Sequence, residues 1–183
     1  VDVGMACHDA VPGMVNRKVA YGTKDFLEEP AMTREETVKA MEAGADMAVE
    51  LKERGYVLEL VADGLAESFE NVYRLNGLEN IFAERTISEV VGAEKPAREM
   101  FQTAMDKLGL SETDKSRVIM VGNNLKRDIA GANRFGITSV LMAWSPRYCM
   151  VPESEEEIPD YIVQQPLELV ELIEKLENDR IKA

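Results

Sequence analysis

Val118-Ile119-Met120-Val121 constrains this chain more than any other feature, because four apolar residues stand in a row with Gly122 directly behind them. A strand with no polar position has both faces covered, and the usual solution is a parallel sheet sandwiched between helices. The pattern recurs in Val57-Leu58-Glu59-Leu60-Val61, in Ile137 to Ala143, in Tyr161-Ile162-Val163 and in Val1 to Met5, with a shorter strand expected over Glu84 to Ser88. Segments of helical spacing alternate with these runs, over Leu65 to Leu75, Pro96 to about Leu108, Leu125 to Phe135 and Pro166 to about Leu176, after which a charged tail is expected to fray. Thr33-Arg34-Glu35-Glu36 is a capping box that opens a further helix closed by Gly55. Right-handed crossovers then give an α/β, three-layer, Rossmann-like doubly wound parallel sheet, expected as a single domain over residues 1–183. Glu59 is the discordant residue, a carboxylate in a strand that should be buried. It calls for a strand end or a basic partner.

Composition narrows the partners. The formal net charge of -13 opposes polyanions, so neither nucleic acid nor an anionic membrane surface is expected. The two cysteines, Cys7 and Cys149, are far apart and lack both metal-type spacing and a disulfide framework. Free thiols in a reducing cytoplasm are the expectation. No apolar run is long enough to cross a bilayer, and no signal peptide is recognised. The first residue is Val1 rather than Met, which reads as a trimmed or artificial start. Cys7 to Pro30 reads as irregular, with Pro12, Gly13, Gly22 and Pro30 as breakers.

Ligands in such folds bind at the carboxyl ends of the strands. Four such ends matter here: Val1 to Met5, Leu60 to Gly64, the region before Lys95, and Val121 to Asp128. Gly122-Asn123-Asn124-Leu125-Lys126-Arg127-Asp128-Ile129 follows the strongest strand and opens a helix, and small residues continue through Ala130-Gly131-Ala132. This stretch resembles the fourth motif of haloacid dehalogenase-type hydrolases, whose acids hold Mg²⁺. Asp128 matches the second acid. Asn123 stands where the first is expected, which removes a negative charge and should weaken a cation that prefers anionic oxygen. Glu94-Lys95-Pro96 resembles the third motif, whose lysine neutralises phosphate and nucleophile charge. Ala62-Asp63-Gly64 resembles the second, although Ala62 lacks the hydroxyl that would hold phosphate. Backbone donors at Asp63 and Gly64 remain available for it. The family's first motif is Asp-x-Asp, nucleophile then general acid/base. Val1-Asp2-Val3-Gly4 offers Asp2 for the nucleophile and only Gly4 for the acid. Each of these positions also has a plain structural reading as a strand-to-helix turn, a solvated loop lysine or an exposed acid.

A second resemblance covers the N-terminal part. Val1-Asp2-Val3-Gly4, Val11 to Ala20, Gly22-Thr23 and Glu29 to Thr33 are similar to nicotinate-nucleotide–dimethylbenzimidazole phosphoribosyltransferase. That match runs over residues 1–55. The haloacid dehalogenase-like part covers 56–178, its recognisable pattern ending at Leu176. The joint falls between a helix and a strand, where a seam disturbs the least packing. The two resemblances together imply an engineered or recombined chimeric scaffold with no native catalytic activity and no cofactor. The alternatives are a weak Mg²⁺-dependent phosphohydrolase, in which Asp2 attacks phosphorus, Lys95 neutralises charge and Asp128 with Asn123 holds the metal, or a binder of phosphate or a small phosphorylated molecule without chemistry. Arg17 and Lys18 read as solvated. His8, the one histidine, is given no role, and Glu153 with Glu155-Glu156-Glu157 reads as a solvated acidic run.

Overall fold

The computed structural model describes residues 24, 32–36, 38–39, 49, 51–77, 79–143, 148–164 and 166–182. The chain divides into two compact units, Val57–Gln164 and Val1–Tyr56 with Gln165–Ala183. The expected strand Val1 to Met5 and the loop after it lie outside the described residues.

The unit Val57–Gln164 alternates strand and helix as its apolar periodicity requires. Strand β1 (Glu59–Ala62) leads to α1 (Ala66–Asn76), and β2 (Glu84–Ile87) runs directly into the short α2 (Ser88–Val91). Helix α3 (Arg98–Lys107) and a 3-10 turn at Glu112–Arg117 precede β3 (Ile119–Gly122). A single π-turn, Leu125–Ile129, then continues into α4 (Ala130–Phe135), which Gly136 ends in the left-handed conformation. Strand β4 (Thr138–Met142), a 3-10 turn at Glu155–Glu157 and β5 (Tyr161–Val163) complete it.

Among the described residues every strand pairing is parallel, with Val61 opposite Thr86, Val121 opposite Val140 and Leu141 opposite Ile162. The α/β expectation with parallel strands therefore holds. Among the described residues the strands form two sheets, β1–β2 and β3–β4–β5, rather than one continuous sheet. One core serves both. Met100, Phe101 and Met105 of α3 meet Ala132 and Phe135 of α4, and Val61 of β1 and Met120 of β3 pack on the same cluster. Burying a side chain of this size contributes about 1.5–3 kcal/mol, so this cluster is what fixes the two sheets to a common helical layer. The approach of α4 to α3 is close enough to require glycine. A Cβ on Gly131 would stand 2.4 Å from the Phe101 ring and 3.2 Å from the Pro96 Cα. A second cluster joins Leu125 and Ile129 of the π-turn to Leu141 of β4.

One sequence reading needs correction and another is resolved. The acidic run is not simply solvated. Glu157 is buried and its Oε2 accepts the Glu153 N–H at 2.9 Å, while Glu156 pairs with Arg134 and Glu153 with Lys126. Glu59 takes the first of the two arrangements expected for it, a strand end, and there the buried Thr86 hydroxyl donates to Glu59 Oε1 at 2.7 Å.

In the other unit the capping box forms. The Thr33 N–H donates to Glu36 Oε2 at 2.7 Å and the Glu36 N–H to Thr33 Oγ1 at 3.1 Å. The helical residues that follow close at Gly55, φ 89°, with the Tyr56 N–H returning to the Leu51 carbonyl. Helix α5 (Pro166–Lys182) runs six residues beyond Leu176, so the charged tail is helical rather than frayed. Arg54 pairs with Glu174, and the Tyr56 hydroxyl donates to Glu177 Oε2 at 2.6 Å, a bond that pushes the phenol up to about 12. No described helix is long and apolar enough to cross a membrane.

Candidate functional site

The carboxyl ends of β1 and β3 meet through charged side chains. Behind β3 the chain turns at Asn123-Asn124, and the Asn124 Oδ1 caps the following turn by accepting the N–H groups of Lys126 at 3.0 Å and Arg127 at 3.1 Å. The Asn124 carbonyl accepts from Asp128 at 2.8 Å and also from Ile129 at 3.3 Å, the wider spacing that makes this a π-turn. The turn swings Asp128 back over the strand end, where its Oδ2 accepts the N–H groups of Asn123 and Asn124, both at 3.1 Å. Gly122 makes room for it: a Cβ there would fall 2.3 Å from Asp128 Oδ2.

Lys95 closes the arrangement from the other strand. Its ammonium lies 2.8 Å from Asp128 Oδ1 and donates to the Val61 carbonyl at 2.9 Å. Its backbone N–H donates to Asp63 Oδ1 at 2.9 Å. The side chains of Lys95 and Asp128 are only 10% and 9% exposed, so this is a largely desolvated ion pair. An ammonium has three donors, and among the described residues two of them are engaged. Above this pair, Arg127 Nη1 reaches Asp63 Oδ2 at 3.3 Å and Nη2 stands 3.6 Å from Glu94 Oε2.

The sequence-derived candidates fare differently. Lys95, Asp63 and Asp128 converge, while Ala62 ends β1 beneath them without a polar side chain. The Gly64 N–H is not available for phosphate, because it donates to the Ser88 hydroxyl at 2.9 Å. Asp2, Arg17, Lys18 and His8 lie outside the described residues. The expected Mg²⁺ pair, Asp128 and Asn123, does not fit the ion as a pair. Both Asp128 oxygens are committed to protein donors, one of them a cation, and Asn123 offers only a neutral amide. No cluster of three or more metal-type side chains exists among the described residues. Two contributors escaped sequence reading. Ser88 stands at the carboxyl end of β2, and that rule alone would have found it. Arg127 precedes Asp128 inside the strongest motif, but its reach to Asp63 depends on the π-turn.

Comparison with known proteins places these features in context. The sequence profile of the haloacid dehalogenase-like hydrolases matches residues 15–142. The glyceraldehyde 3-phosphate phosphatase of Methanopyrus kandleri is 34% identical over 132 residues, covering 72% of this chain and 55% of that protein. The nicotinate-nucleotide–dimethylbenzimidazole phosphoribosyltransferase of Geobacter sulfurreducens is 52% identical over 60 residues, covering 32% of this chain and 17% of that protein. Among solved structures, the magnesium-bound HAD-hydrolase YfnB of Bacillus subtilis aligns with a TM-score of 0.60 at 23% identity, over 76% of this chain and 61% of that one. The chain thus spans about half the length of the phosphatase it matches and a small part of the transferase. Both resemblances read from the sequence are found. The inference drawn from their union, a scaffold without native activity, is overturned, because the long match is to hydrolases with named phosphatase activity. An engineered origin receives no support from these matches.

Proposed function

This chain belongs to the haloacid dehalogenase-like hydrolase family, and from that premise we propose that it hydrolyses small phosphate monoesters with a weakened dependence on Mg²⁺. The observation that carries the reading is Lys95, whose nearly buried ammonium stands between the ends of β1 and β3 and, among the described residues, engages two of its three donors. A fixed cation in a desolvated pocket stabilises the charge that builds on a transferring phosphoryl group. In the reaction the P–O bond to the alcohol breaks, water supplies the new oxygen on phosphorus, and the departing alcohol takes up a proton.

Asp2 is the nucleophile candidate read from the sequence, and Gly4 leaves no carboxylic acid to protonate the alcohol. Loss of a general acid costs on the order of 10²–10⁴ in rate, so esters with good leaving groups should turn over best. The relative of known name acts on glyceraldehyde 3-phosphate, which makes a three-carbon phosphorylated aldehyde the natural second substrate. The test is release of inorganic phosphate from p-nitrophenyl phosphate and glyceraldehyde 3-phosphate, with Mg²⁺ and with a chelator. Turnover is expected for both, faster for the aryl ester, rising only a few-fold with Mg²⁺ and lost in Asp2→Asn. Absence of turnover at high enzyme concentration, or turnover unchanged in Asp2→Asn, overturns the reading.

A further inference from the structure

Where a divalent cation is poorly supported, a dianionic phosphoryl group needs positive charge from elsewhere. Lys95 alone does not provide it, since its charge is already balanced by Asp128 at 2.8 Å. The strand ends hold three carboxylates, Asp63, Glu94 and Asp128, against the cations Lys95 and Arg127. Arg127 differs from Lys95 in how it is held. Its side chain is 47% exposed, its contacts at 3.3 and 3.6 Å are long for charged pairs, and Glu94, an ion-pair neighbour beyond hydrogen-bond distance, is itself 64% exposed. Charge-assisted bonds of good geometry fall near 2.7–2.9 Å, so the guanidinium is tethered rather than committed. Asp63 fixes its location, because the same carboxylate binds the Lys95 backbone through Oδ1 and Arg127 through Oδ2.

We propose that Arg127 is a substrate-binding residue that supplies the second positive charge for the phosphoryl group, exchanging its loose contact with Glu94 for the ligand while Asp63 keeps it beside Lys95. A guanidinium suits this role, since its planar fork matches phosphate oxygens in a bidentate way. The inference rests on the phosphomonoester reading above, and it makes binding of the anion independent of Mg²⁺.

The experiment uses inorganic phosphate as the probe and the melting midpoint of the full chain, in chelator, as the readout, alongside KM and kcat for p-nitrophenyl phosphate. A ligand that binds only the folded state must raise the midpoint. Phosphate is expected to protect the wild type. Arg127→Ala should raise the half-protecting concentration and KM about tenfold with kcat little changed, since it removes binding rather than chemistry. Glu94→Gln should tighten both about threefold by releasing the guanidinium, and it provides an answer even if Arg127→Ala fails to fold. Equal protection in wild type and Arg127→Ala, or no tightening in Glu94→Gln, overturns the role of Arg127 while turnover still supports the hydrolase. Turnover without any phosphate protection in chelator does the same. Absent turnover sinks the phosphomonoester reading itself.

Discussion

The ends of β1 and β3 carry the same kind of cargo and hold it by opposite means. Behind β3, Asp128 is fixed by backbone: two amides on one oxygen, a π-turn that brings the carboxylate back, and a glycine beneath it with no room for a methyl group. Behind β1, the holding groups are side chains. Asp63 gathers the Lys95 amide and Arg127, and the Ser88 hydroxyl takes the Gly64 amide. Backbone-built geometry is set by the fold and fails when the fold is disturbed locally. Side-chain-built geometry can be retuned one residue at a time, and the resemblance implies that β1 is where phosphate-binding polarity was lost, at Ala62. Lys95 belongs to both ends, and so it is where the contrast is tested most severely.

Lys95→Met should have the largest effect. It leaves Asp128 as a nearly buried carboxylate with no cation, and breaking one partner of such a pair costs roughly 3–5 kcal/mol. Urea denaturation should show a lowered midpoint with an unchanged slope, which marks lost stability rather than a changed unfolded state. Adding Asp128→Asn should recover part of the loss, because the orphaned charge is then gone. No recovery would mean that the aliphatic stem of Lys95, rather than its charge, ties the two ends together.

The two ends can then be separated. Gly122→Ala places a methyl group against Asp128, which must move and give up its amide bonds. Overpacking of this kind costs about 1–3 kcal/mol, and phosphatase turnover should fall with it. Ser88→Ala releases the Gly64 amide and the long 3.5 Å bond to the Gly64 carbonyl, a loss of about 1 kcal/mol, with turnover largely kept. Comparing ΔG of unfolding and turnover for the pair tests whether β3 is the rigid end. Equal effects would erase the distinction.

How much of this could be read from sequence follows the same division. The elements were legible because apolar periodicity reports burial directly, and the convergence of Lys95 with Asp128 was legible because both sit in motifs at strand ends. What could not be read is what depends on a turn's exact path. Asn123 and Asp128 look like a ligand pair one helical turn apart, but the π-turn directs Asp128 into its own backbone and toward Lys95. Gly64 looks like an anion donor until Ser88, the first residue of the helix that follows β2, occupies its N–H. The two-sheet arrangement of the described strands has no signature in any local segment. The expectation of an inert scaffold failed for a different reason, because it weighed missing motif residues above the extent of the family match.

The smallest effect is expected at the opposite end of β1. Burial raises the Glu59 carboxyl to about 7, against the Thr86 hydroxyl bond and Lys107, which lower it, while Glu84 adds to the rise. The folded state therefore holds a proton between about pH 4.5 and pH 7 that the unfolded chain has released, so stability from this group is full below about pH 4.5 and is lost as pH rises through about 7. Discounted for its partial exposure, the loss is on the order of 1 kcal/mol. Glu59→Gln keeps an acceptor for Thr86 and removes the titration. The variant should match the wild type near pH 4.5 and become progressively more stable than it up to about pH 7.5, as read from denaturation midpoints across that range. The sign separates the two ends of the strand. Neutralising the carboxylate at the start of β1 strengthens the fold at neutral pH, whereas at its far end Asp63 carries the Lys95 amide and Arg127 and its neutral variant should weaken it. A difference between Glu59→Gln and wild type that did not change with pH would show that Glu59 stays ionised in the folded chain, and the contrast along β1 would be gone.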